Sequence, residues 1–320
     1  MKKSGRKSLF IGIAVLIAMS LCACSTSDTY PSKEVTMIVP FSSGGSTDLL
    51  ARTLAEPVGD SLDQSVVVSN VSGASGTVGA AQLADEDPDG YNLMFVTSAP
   101  ITIQPYFMNG LTYTEESFTY ICNIASEPSC IAVPADSHYE TLEDLLNADT
   151  TISAGNTGVG TLHYLFQISL FEQAGTDYKQ VAFDGGAKLV TGLLGGNVDC
   201  ISTVVSEIYD YVDSGDIRIL AISTTDRNEM YEEIATVSEY GYDIDMSLDF
   251  FVVGPAGLEE DVLSTLTSAF EGAAESETIT SYLESSHIAV NYMDGEALEA
   301  KVKEDVETYT QIIDSLDSTE

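Results

Sequence analysis

Short apolar runs alternate with helical patterns along almost the whole chain, and this alternation restricts its fold more than any other feature. "VTMIVP", "SVVVSN", "YNLMFVTS", "TYICNIA", "CIAVPA", "TISAGN", "YKQVAF", "VDCISTVV", "IRILAIST" and "LDFFVVGPAG" read as strands. "TDLLARTLAEPVGDSL", "TLHYLFQISLFEQAG", "AKLVTGLLGG", "EIYDYVDSG", "EEDVLSTLTSAFEGAAES" and "DGEALEAKVKEDVETYTQIIDSL" read as helices. Strands that alternate with helices imply α/β units on largely parallel sheets. At 320 residues the chain exceeds what one domain needs. No Pro/Gly-rich linker divides it, so two domains would be joined by strands that cross between them. "CIAVPA" and "DFFVVGPAG" are the candidate crossings.

The first residues stand apart from this pattern. Lys2, Lys3, Arg6 and Lys7 form a basic region, and Leu9 to Leu21 an apolar one. The apolar stretch is shorter than the roughly 20 residues of a bilayer span and fits an export signal. It ends in "LCAC", where Leu21 and small Ala23 precede Cys24 as in a bacterial lipobox. The expectation is a lipoprotein signal peptide over residues 1–23, cleavage before Cys24, acylation of Cys24, and a polar tether over residues 24–33.

Composition then excludes some partners. Removing residues 1–23 takes four basic residues with it and moves the formal charge from −38 to −42. Nucleic acid needs clustered cations and is excluded as a partner. Cys122, Cys130 and Cys200 sit in or beside apolar runs and read as buried thiols.

Four loops rich in Gly, Ser and Thr carry the functional signal. Ser42 to Thr47 joins a strand to a helix, with Asp48 in the first helical turn. Such a junction presents unpaired N–H groups and the positive end of a helix dipole, a ready anion site. Ser46 or Thr47 is the expected N-cap. "GASGTVGA" from Gly73, "SAGNTGVGTLHYL" from Ser153 and "FDGGAK" from Phe183 repeat the design. Several such loops at strand ends point to a cleft lined by amides and hydroxyls.

Rival chemistries find less support. A P-loop needs Lys-Ser/Thr where Ser46, Thr47 and Asp48 stand. "DEDPDGY" begins like a calcium loop, but its twelfth position holds Val96 instead of Glu, so no metal is expected. No Gly-x-Ser-x-Gly elbow and no His-Glu-x-x-His motif occurs, and His138, His163 and His287 show no ligand spacing.

"YPSKEVTMIVPFSSGGSTDLLAR" resembles the N-terminal signature of the TctC/Bug-type extracytoplasmic solute-binding proteins, which serve tripartite tricarboxylate transporters. The likeness continues through "VVVSNVSGASGTVGA", "PDGYNLMFVTS", "SAGNTGVGTLHYL", "LLGGNVD", "IRILAIST", "ATVSEYG" and "FFVVGPAG". It implies a two-domain α/β fold of the periplasmic-binding-protein kind (type II, Venus flytrap) with two crossing strands. Residues 34–129 and 249–320 would form one domain and residues 130–248 the other. A small carboxylate would lie between them.

Carried onto this sequence, the first-domain contacts are Phe41, Ser42, Gly44, Gly45, Ser46 and Thr47, with Thr97 and Ser98. The second-domain contacts are Asn156, Thr157, Gly158, Thr161, His163, Phe183 and Gly185. Asp48 would order its own loop. The resemblance further implies a binding protein without cofactors or catalysis, with membrane permease subunits as partners; a monomer is expected, held on the outer face of the cell membrane by the lipid read from Cys24.

At the fourth loop the family often reads Tyr-Lys-Gly-Ser, and this chain reads Phe183-Asp184-Gly185-Gly186. An Asp184 that faces the cleft favours an amino acid or neutral amide over a dicarboxylate; one that faces solvent favours neither. Two alternatives share the scaffold: an extracytoplasmic enzyme with His163 or Asp184 as base, and a ligand sensor.

Overall fold

The computed structural model describes residues 30–317 except residue 228. The expected signal segment, Cys24 and most of the tether lie outside the described residues.

The chain folds as two α/β lobes, each built on its own sheet. The first sheet contains β1 (Val35–Val39), β2 (Val66–Asn70), β3 (Asn92–Thr97), β9 (Ser247–Pro255) and β10 (Ala289–Asp294). They are arranged as β2-β1-β3-β9-β4, with β10 also on β4 (Phe118–Pro134). The second contains β5 (Ile152–Asn156), β6 (Tyr178–Ala182), β7 (Cys200–Val204) and β8 (Ile217–Ile222), in the order β6-β5-β7-β4, with β8 also on β4. Helices α1 (Ser46–Leu62) and α2 (Thr77–Ala84) belong to the first lobe. Helices α3 (Leu162–Ala174), α4 (Gly186–Leu194) and α5 (Val205–Asp213) belong to the second. Then α6 (Glu260–Ala274), α7 (Glu277–Ser285) and α8 (Gly295–Asp317) complete the described chain.

Local sequence explains the central elements. "VTMIV" is covered on both faces, so β1 is apolar at every position but the half-buried Thr36 instead of alternating. In α1 the buried residues Thr47, Leu50, Ala51, Leu54, Val58 and Leu62 recur at helical spacing and seal one face. Leu50, Leu54 and Val58 join Phe95, Phe250 and Phe270 in the first-lobe core. Phe166, Phe171, Leu145 and Ile131 anchor the second.

Three expectations are corrected, and two elements are added. "TYICNIA" and "CIAVPA" are one strand of 17 residues, β4. Pro128 does not break it. Pro128 lies between the last β10 pair, at Ser126, and the first pairs with β7 and β8, at Ser129 and Cys130. Its missing N–H therefore falls at a seam between neighbours. Register shifts along β4 let it bend from one sheet into the other.

The second crossing is also displaced. Among the described residues β9 pairs only with β3 and β4, and it stays in the first sheet. The chain changes lobes just before it: the Met246 N–H donates to the Ser223 carbonyl, and the Met246 carbonyl accepts from the Ser129 N–H.

The sheets are less parallel than expected. Among the described residues the β1/β2, β1/β3, β5/β6 and β5/β7 pairs are parallel, and every pair made by β4 or β9 is antiparallel. The crossing strands run against the βα units they join. Finally, α7 and β10 gave no clear sequence signal. β10 is a half-covered edge with a register shift, and its Val290 is 51% exposed.

Helix α8 touches both lobes. Leu298 and Val302 pack with Phe118 and Phe251 of the first. Tyr309 and Ile313 pack with Phe166 and Leu170 of the second.

Candidate functional site

The first loop is organised from inside by Asp48. Its Oδ2 accepts from the Gly44 N–H at 2.8 Å and from Ser43 Oγ at 3.3 Å. Arg52 Nε reaches Oδ2 at 3.1 Å and Arg52 Nη2 reaches Oδ1 at 2.9 Å. Asn70 Nδ2 donates to Oδ1 at 2.8 Å and to the Phe41 carbonyl at 3.1 Å. Arg52 beside it, assisted by Gly44 and Asn70, holds the carboxyl well below its usual range against the opposing effect of burial. The N-cap is Gly45, without a side-chain bond, so neither Ser46 nor Thr47 caps α1. The carboxylate three residues into the helix bonds the preceding loop instead. Gly44 takes φ +88°, a left-handed conformation that favours glycine. Ser42 to Ser46 are exposed; Thr47 and Asp48 are buried.

The second loop contains a run of positive φ: Gly73 at 148°, Ala74 at 43°, Ser75 at 55° and Gly76 at 92°. Two of these residues carry a Cβ, and such strain is typically worth about 1–3 kcal/mol each and gathers at functional sites. A Cβ on Gly76 would stand 2.7 Å from Pro100 Cγ and 3.4 Å from Phe41 Cε1. Glycine there lets the second loop close against the first.

On the second lobe, Asn156 is buried and shapes the third loop. Its Oδ1 accepts from the Gly158 N–H at 2.9 Å and its Nδ2 donates to Gln167 Oε1 at 2.9 Å. Thr161 caps α3: its Oγ1 accepts from the Tyr164 N–H and donates to the Gly158 carbonyl. The loop is tied across the cleft, since Gln104 Nε2 donates to the Gly160 carbonyl at 2.7 Å. His163 Nδ1 lies 3.0 Å from Ser129 Oγ. Burial pushes the His163 pKa down, against the attraction of Glu207, so the imidazole is neutral.

Between the lobes these loops enclose a cavity of about 250 Å³. Phe41, Thr97, Thr157, Thr161 and His163 line it, drawn from both lobes. Beside it Ser98 Oγ is buried without a hydrogen-bond partner among the described residues. The cavity wall also holds Ser75, Pro100, Gln104, Gly160 and Leu248, which the sequence did not single out. For Ser75 and Gly160 the signal was present, as both lie in loops of glycine and hydroxyl residues. Gln104 carries no motif and is placed only by the fold.

The remaining candidates lie apart from this wall. Ser46 lines a second concavity, described below. Ser42, Gly44, Gly45, Thr47, Asn156 and Gly158 support the loops without forming the wall. Phe183 and Gly185 are not in it either. A Cβ on Gly192 would meet the Phe183 ring at 2.4 Å, so that ring is seated on the second-lobe core. Asp184 is 91% exposed and binds Lys188 at 2.6 Å. Lys188 keeps its carboxyl below the usual range. Among the described residues no group of His, Cys, Asp and Glu is arranged to hold a metal ion.

Comparison with known proteins agrees with this architecture. BugT of Bordetella pertussis is 29% identical over 280 residues, which cover 84% of this chain and 84% of BugT. A TctC solute-binding protein from Polaromonas, solved without ligand, superposes with TM-score 0.81 at 28% identity. That match covers 90% of this chain and all of the Polaromonas protein. A Rhodopseudomonas palustris protein solved with adipate shares the fold with TM-score 0.77 at 23% identity, covering 88% of this chain and 97% of its own. The profile of the family described as "Tripartite tricarboxylate transporter family receptor" matches residues 50–317. With most of its length inside that match, the chain belongs to the TctC family of tripartite tricarboxylate transporter receptors.

Proposed function

We propose that this protein is an extracytoplasmic solute-binding lipoprotein that captures a small carboxylate-bearing metabolite between its lobes and hands it to membrane permease subunits. The observation that carries the reading is the cavity itself. It lies between two lobes, it is walled by glycine and hydroxyl loops from both, and it is smaller than the roughly 300–1,000 Å³ of drug-sized sites. The adipate in the R. palustris relative supports a carboxylate ligand. The passage of β4 and of Met246 between the sheets supports domain limits near 129/130 and 248/249. A ligand that touches both lobes would favour the closed form by its extra contacts there. The first-loop amides from Ser42 to Thr47 then meet Thr157 and Thr161 of the third loop across the ligand, with Asp48 holding the first loop and Asn156 and Gly158 the third loop in shape.

Catalysis is not part of the proposal. Ser129, the hydroxyl beside His163, is fully buried and beyond the reach of a substrate. Asp184 is occupied by Lys188. The test is mass spectrometry of small molecules released from the denatured protein, with Gly76→Val as the control variant. The branched side chain would collide with Pro100 in a backbone region it avoids. Wild type should release a carboxylate-bearing molecule, and Gly76→Val should carry roughly tenfold less of it. Equal occupancy in a folded variant would take the second loop out of the site.

Anchoring is tested separately. Cys24→Ala should leave the folded protein intact and move it from the membrane fraction to the soluble fraction. More than one acyl chain is needed for stable attachment. Wild type recovered soluble with an unmodified N-terminus would refute the lipoprotein assignment.

A further inference from the structure

A second concavity of about 440 Å³ opens between the lobes on the other side of the first loop, which gives Phe41 to one cavity and Ser46 to the other. Ser46 faces it from the first lobe, and Ser206, Glu207 and Tyr209 from the start of α5 in the second. Asp210 and His287 line it as well. No Lys or Arg lines either cleft cavity, and none occurs in the four loops 41–47, 73–80, 156–161 and 183–186. The nearby cation Lys188 is 66% exposed and bound to Asp184. His163 is neutral.

Glu207 occupies a telling place in this setting. Thr203 Oγ1 donates to its Oε2. Both carboxylate oxygens lie against Gly186, the first residue of α4, where an added Cβ would meet them at 2.7 and 2.9 Å. The N-terminus of α4 is where the fourth loop would otherwise receive an anion of the ligand. The protein has put its own carboxylate there. Behind it stands Glu127, 1% exposed, whose Oε2 is buried without a partner while Ser206 bonds the carboxyl. One end of the cleft therefore offers amides and hydroxyls, and the other offers carboxylate oxygens in excess of donors.

We propose that Glu207 sets the charge of the ligand: the cleft takes a molecule with a carboxylate at one end and an ammonium, or another cationic nitrogen, at the other, and rejects plain dicarboxylates. The proposal rests on the reading of the cleft as a ligand site. An ammonium at Glu207 forms a charge-assisted hydrogen bond, whereas a second carboxylate meets the like charges of Glu207 and Asp210 with no Lys or Arg in the wall to offset them. Selection thus works by attraction and by repulsion together.

Calorimetric titration of the purified protein tests this with matched probes: adipate against 6-aminohexanoate, glutarate against 5-aminopentanoate, and succinate against 4-aminobutanoate. In wild type the amino member of the pair that fits should bind more tightly than its diacid. Glu207→Gln retains the side-chain shape and a bond to Thr203, and it should shift the ratio toward the diacid by roughly tenfold or more. A diacid that matches or outbinds its amino partner in wild type overturns the proposal, as does a ratio unchanged in Glu207→Gln. Should no probe fit by length, the molecule released from the protein decides. A cationic nitrogen supports Glu207's role, and two or more acid groups without one refute it while leaving the binding-protein reading intact. A protein that binds and releases nothing sinks that reading, and Glu207's role with it.

Discussion

Asp48→Ala is expected to destabilise the protein by about 1–3 kcal/mol and to abolish measurable ligand binding. The loss leaves the Gly44 N–H and Arg52 Nε without their acceptor, and leaves Asn70 Nδ2 only the Phe41 carbonyl and Arg52 Nη2 only Asn70 Oδ1; an orphaned donor is worth roughly that much. The stability effect stays modest because Arg52 is 47% exposed and the loop over Asp48 is open to solvent, so water replaces part of what is lost. Binding suffers more, because Gly44 and Phe41 lose their fixed positions together. The pH dependence has a definite sign. The folded pKa of Asp48 lies below the ordinary value of 3.8, so its contribution is present above about pH 4 and is lost as the pH falls through the folded value. Thermal denaturation at pH 7 and pH 3 checks this: the difference in Tm between wild type and Asp48→Ala should shrink at the lower pH. A gap that is unchanged or wider would show that the carboxylate does not hold the loop.

Glu127→Gln should act in the opposite sense and stabilise the protein above pH 7. Glu127 sits in β4 at the seam between the sheets, nearly fully buried. Burial is the main cause that raises its pKa from 4.5 to about 7, with Glu207 adding to the rise and Ser206 opposing it. Tyr231, Tyr282 and Cys130 complete its surroundings and bring no cation. A carboxyl whose folded pKa is raised contributes stability below its unfolded value, here below pH 4.5. That contribution is lost as the pH rises through the folded value near 7. The shift of roughly 2.5 pH units corresponds to about 3 kcal/mol at pH 8. The neutral amide keeps an acceptor for Ser206 and does not ionise. Asp305, raised to about 6, and Asp245 titrate in the same direction, so the comparison is between variant and wild type at each pH. Denaturant unfolding should show little difference at pH 5 and a more stable variant at pH 8. Parallel pH profiles for the two proteins would mean that Glu127 ionises without penalty.

The sequence by itself determined the local pieces. Continuous apolar runs such as "VTMIV", and helices whose buried residues recur at three and four, are written in neighbouring residues, because pleat and helix periods act over a few positions. Glycine-rich loops at strand ends are equally local, so the wall contributed by Thr157 and Thr161 was legible, and the order of the motifs marked the family, whose resemblance pointed to Phe41 and Thr97. Only the tertiary structure decided what depends on residues distant in the chain. It made one strand of "TYICNIA" and "CIAVPA", because the neighbours of Pro128 change at the seam where β10 gives way to β7 and β8. It brought Gln104 against Gly160, 56 residues away, and seated the Phe183 ring on the second-lobe core. It turned Asp184 to solvent with Lys188 and placed Glu207, which no motif marks, at the start of α4. A carboxylate's charge is fixed by its residue type, but whether it meets a ligand, a lysine or a helix end is fixed by packing. That is why the fold could be read from local pattern and the ligand's charge could not.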